Sequence, residues 1–151
     1  MRVNFAVILL IGLASTVTPV SAVEMHRCAP VDVTMASSSP SGHSVAKTSV
    51  NWNRIEYRVE GDTATLSTFK DSASRPAADP IQRDQAVVLQ NSKDKIVLIS
   101  KSGVDLTVDV IFPQDGNAYS FYASDYPKRL APGNAKLTNL AKLYVLKCVS
   151  Y

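Results

Sequence analysis

The sequence predicts an all-β fold, an antiparallel meander of about eight strands closed into a small barrel. Three observations predict it. Short stretches alternate apolar and polar residues, turn-forming residues separate them, and the two cysteines, Cys28 and Cys148, lie near opposite ends of the chain. A two-sheet β-sandwich stapled at its termini is the alternative.

The first element is a leader. Residues 1–22 carry Arg2, an apolar run from Phe5 to Leu13, and the small residues Val20, Ser21 and Ala22 before an expected cut after Ala22. The apolar run falls short of the roughly 20 residues that span a bilayer, so a cleaved secretory signal is expected, with no stable membrane anchor. The remainder, 23–151, is expected to form a single β-rich domain that is periplasmic or secreted. Loss of Arg2 with the leader lowers 16 basic side chains to 15 against 13 acidic ones, a net charge of +2. No basic run could track a phosphate backbone, which argues against nucleic acid as a partner. In an oxidising compartment Cys28 and Cys148 can form only one bridge, and that bridge sets the first strand beside the last.

A first strand is expected over Cys28–Met35. Arg54–Glu60 alternates Ile55, Tyr57 and Val59 with charged residues, and Gly61-Asp62 turns it into Thr63–Phe69, a hairpin. Gln85–Gln90 and Lys95–Ser100 flank the turn residues 91–94 and form a second hairpin, apolar on both faces, whose outer face needs a cover. That cover is a helix or a second copy of the chain, as in a homodimer. Val104–Phe112 sets Leu106, Val108, Val110 and Phe112 against Asp105, Thr107 and Asp109. Pro113, Asp115 and Gly116 turn it into Asn117–Ala123, and Lys142–Val149 ends the count. Three longer connections remain: Ser37–Val50, Lys70–Asp84 and Ser124–Ala141. In the last, Asn134 caps an expected short helix on which Leu137, Leu140, Ala141 and Tyr144 share a face.

Catalytic signatures are missing. There is no Gly-x-Ser-x-Gly elbow and no glycine-rich phosphate loop, and His26 and His43 have no zinc-ligand spacing, so neither metal nor cofactor is expected. Asp105 and Asp109, on one strand face about 13 Å apart, are too distant to cooperate as an acid–base pair and are expected to be a solvated face. The protein is therefore expected not to be an enzyme.

The expected function is binding of a macromolecular, protein partner, in the manner of inhibitor or immunity proteins, through loops on a disulfide-stapled scaffold. The expected contact residues are Tyr122, Tyr126, Lys128 and Arg129, an aromatic and basic concentration. The alternative is a carrier of a small apolar ligand in the barrel interior, with Tyr57, Val59, Leu106, Val108 and Val110 facing inward. The pattern resembles lipocalin-like barrels, but their Gly-x-Trp signature is absent, Trp52 following Val50 and Asn51. No family is assigned on that likeness, and such a fold would not fix function.

Overall fold

A computed structural model describes residues 22–39, 42–124 and 139–151. The expected leader, apart from Ala22, lies outside them. The described residues form nine strands: β1 (Glu24–Ser39), β2 (Gly42–Lys47), β3 (Arg54–Glu60), β4 (Thr63–Phe69), β5 (Gln82–Asn91), β6 (Ile96–Ser102), β7 (Asp105–Phe112), β8 (Asn117–Ser124) and β9 (Asn139–Ser150). All pair antiparallel in the order β2-β1-β3-β4-β5-β6-β7-β8-β9, and β1 also pairs with β9. That last pairing closes β1 and β3 to β9 into an eight-stranded barrel, leaving β2 as an extra strand on β1. The barrel is the observed architecture; the sandwich is not.

Local chemistry accounts for the elements. The Glu60–Thr63 pair leaves a two-residue connection between β3 and β4 in which Gly61 takes φ 58°, a backbone that residues with a Cβ rarely adopt. In β1 the register against β9 slips between Pro30 and Asp32, where proline has no N–H to give the ladder and Val31 bulges outward. Glu24–Cys28 pairs with β3 before the slip, and Thr34–Ser39 pairs with β2 beyond it. The Cys28–Cys148 disulfide joins directly opposed residues at the β1–β9 seam. It agrees with the expected bridge and is compatible with an oxidising extracellular or periplasmic location.

Two expectations are corrected here. The segment 37–50 is no structureless connection, because it holds the end of β1 and all of β2. Each β2 side chain is exposed, so the strand owes its existence to backbone pairing with β1 and carries no apolar alternation to announce it. The helix expected over Leu140, Ala141 and Tyr144 is instead the start of β9. Two open edges, β8 and β1, both offer ladder partners to that segment, and tertiary pairing overrides a coincidental helical spacing. Asn134 and Leu137 lie outside the described residues.

The interior is layered by register. Ile96, Ile111, Ala118 and Leu146 stand side by side on β6 to β9, all fully buried, and with Cys28, Tyr57, Val59, Ala64 and Ala86 they plug one end of the barrel. One level up, Leu98 is followed around the wall by Asp109, Ser120 and Tyr144. The next level is Ser100, Thr107, Tyr122 and Lys142. From apolar plug to polar wall the inward face changes within two strand positions.

Candidate functional site

Above the plug, the polar levels enclose a cavity of about 680 Å³. Its rim carries the exposed residues Ser49, Asn51, Gln82 and Ser102. Residues 48–53 reach it from β2, held by Thr48 N–H to the Val33 carbonyl at 2.9 Å and Asn53 N–H to the Phe69 carbonyl at 3.0 Å. They bring Trp52 against Tyr144, with ring centroids 5.7 Å apart and planes tilted by 36°.

The connection from β4 to β5 is fastened beside this rim by Arg54. Its guanidinium grips both carboxylate oxygens of Asp71 at 2.8 and 2.9 Å, donates to the Ala77 carbonyl at 2.9 Å and also pairs with Glu56. It lies 3.8 Å over the Phe69 ring, a cation–π contact. Arg54 and a backbone N–H from Ala77 hold the Asp71 carboxyl down at about 2.

Asp109 forms the floor of the cavity, 0% exposed. Tyr57 Oη donates to its Oδ1 at 3.0 Å, whereas its Oδ2 is buried without a hydrogen-bond partner. Burial pushes its carboxyl up to about 6; Ser120 and Tyr57 pull it down, and the Asp84 carboxylate adds to the rise. Tyr57 is raised well above its ordinary value by burial and by the Asp109 charge. Tyr144 is pushed up to about 12 by burial, with Tyr122 and Asp109 adding to it. Higher on β7, Asp105 accepts from Ser124 Oγ at 2.5 Å. Among the described lining residues, three carboxylates (Asp84, Asp105 and Asp109) face one cation, Lys142.

The residues singled out from sequence are distributed unevenly. Tyr122 lines the cavity, so it is not part of an outer patch, and Tyr126, Lys128 and Arg129 lie outside the described residues. Tyr57 and Val59 are interior, as expected, but belong to the plug. Leu106, Val108 and Val110 are corrected: they point outward, Leu106 being 36% exposed, while Asp105, Thr107 and Asp109 point in. The expected solvated Asp face is therefore the inner one. Alternation distinguishes two faces of a strand but does not say which is the interior when the interior is polar.

The missed residues left a signal that spans three strands. On one face β6 reads Ile96, Leu98, Ser100, Ser102, and β8 reads Ala118, Ser120, Tyr122, Ser124. Read in reverse, β7 gives Ile111, Asp109, Thr107, Asp105. Each face runs from apolar to polar in the same direction along the barrel, which a strand-by-strand count does not reveal.

Outside the barrel, Val87, Ile99, Val108, Phe121 and Leu143 form one continuous cross-strand row, and Val97, Val110, Tyr119 and Val145 form the next. Val87 is 55% exposed, and Phe121 and Leu143 are each 43% exposed. The outer faces of β3 and β4 are polar by contrast, with Arg54, Glu56, Arg58 and Glu60 backed by Thr63, Thr65 and Ser67.

Among the described residues no three His, Cys, Asp or Glu side chains converge as metal ligands. Compared with models of known families, with curated proteins and with solved structures, the chain shows no match.

Proposed function

We propose that this is an exported, non-enzymatic binding protein that holds a small polar molecule in the upper half of its barrel. The observation that carries the reading is the buried Asp109 carboxylate at the floor of a cavity of about 680 Å³. That volume falls within the range of small-molecule sites. The lining argues for a polar ligand in place of the apolar one expected from sequence, because Asp84, Thr107, Asp109 and Lys142 occupy the inner face. The disulfide and the leader expected at residues 1–22 support a periplasmic or extracellular location.

The test is native mass spectrometry of the oxidised protein recovered from its own compartment, joined to a fragment screen read by the fluorescence of Trp52, the sole tryptophan. A bound small molecule, or fragments that quench Trp52 and displace it, supports the reading. An empty barrel in every preparation and silence across a chemically broad screen overturns it.

A protein partner remains the second reading, on residues other than those first expected. The outer apolar rows through Phe121 and Leu143 favour it, since contiguous exposed apolar faces mark interaction surfaces. Phe121→Asp with Leu143→Asp should abolish any complex recovered by cross-linking in the native compartment. An unchanged complex removes this face from the account.

A further inference from the structure

We infer that the ligand is an organic ammonium ion with at least one N–H, lodged between the Asp109 carboxylate and the rings of Trp52 and Tyr144. The inference rests on the cavity reading above and names the class of molecule the cavity takes.

Asp109 Oδ2 is buried, lines the cavity and has no hydrogen-bond partner, although the carboxyl is served by Tyr57 through Oδ1 and by the Ser120 hydroxyl. A buried carboxylate oxygen left without a donor costs stability, and such orphans concentrate where something else supplies the donor. Thr68 Oγ1, which lines the cavity from β4, is also buried without a partner. What Oδ2 lacks is a donor of its own, and a positively charged one gains most there: Asp84 stands close enough for its charge to act on Asp109.

The surroundings select among donors. Asp84 and Asp109 against Lys142, among the described lining residues, give the lower cavity a negative balance that disfavours an anion. Among the described residues no three His, Cys, Asp or Glu side chains converge, which favours an organic cation over a metal ion caged by the protein. The tilted pair of Trp52 and Tyr144, with Tyr122 on the adjacent strand, offers aromatic faces to the cation or to a ring attached to it. A quaternary ammonium satisfies the rings but has no hydrogen for Asp109, which is why the N–H is required.

The experiment is isothermal titration of the oxidised protein with three probes of one shape: phenethylammonium, 2-phenylethanol and phenylacetate. The ammonium should bind at least about tenfold more tightly than the alcohol, the size of one charge-assisted hydrogen bond. Asp109→Asn should erase that preference while leaving the weak binding of 2-phenylethanol, which also reports that the variant is folded. Asp84→Asn should reduce the preference by a smaller factor. Equal binding of all three, or preference for phenylacetate, overturns the cation assignment and leaves the cavity reading standing. If none of the three binds but other fragments quench Trp52, the cation assignment fails alone; if all fragments are silent, both fail.

Discussion

The two ends of the barrel are built by the same strands and differ only in what those strands place inside. At the plug, Ile96, Ile111, Ala118 and Leu146 fill the space with side chains that have no polar atoms to satisfy. Two levels up, Ser100, Thr107, Tyr122 and Lys142 leave it unfilled. The plug and the disulfide seam hold the barrel closed, which relieves the cavity end of the need to pack well. The packed core and the cavity are thus divided along the barrel axis, with the Tyr57–Asp109 hydrogen bond at the boundary.

That division sets the order of expected effects. Replacing Cys28 and Cys148 together by serine should cost the most, on the order of 5 kcal/mol by the entropy of a bridge that spans a sequence separation of 120, read by urea unfolding. A loss under about 1 kcal/mol would mean that the strand ladder alone closes the barrel. Leu98→Ala, at the top of the plug, should cost about 3 kcal/mol through the cavity it opens, with the same readout.

Asp109 lies at the boundary and should show itself through pH. Its folded value of about 6 lies above the ordinary 3.8, so the folded protein holds the proton more tightly than the unfolded chain. Its burden is absent below the ordinary value, grows as pH rises, and is complete above the folded value. Asp109→Asn should therefore be more stable than the parent by on the order of 3 kcal/mol at neutral pH and above, the difference vanishing near pH 4. A difference independent of pH would show that the carboxyl is solvated. Smallest of all, Ser100→Ala in the cavity wall should change stability by less than about 0.5 kcal/mol. A loss equal to that of Leu98→Ala would erase the distinction between the two ends.

The hairpin of β3 and β4 was legible because one face must be buried and the other is charged, and Gly61 marks the turn. β7 was legible as a strand and misleading as a face: its apolar side, Leu106, Val108 and Val110, looks inward by composition and is the outer one. β2 left no trace, since an exposed strand is specified by its neighbour's edge. The start of β9 carried a helical spacing that two open edges outweighed. The cavity was invisible strand by strand because its residues, Asp84, Asp109, Tyr144 and Trp52, are far apart in sequence and meet only across the closed wall.

Where most strands run, that they turn back on their neighbours, and that Cys28 can reach Cys148 follow from the residues alone, because alternation, turn chemistry and cysteine count act locally or leave a single choice. Which face of each strand is inside depends on how the barrel closes. A strand has two faces of equal local standing, and only closure of the sheet, by burying one and exposing the other, turned Asp105, Thr107 and Asp109 into the wall of a site.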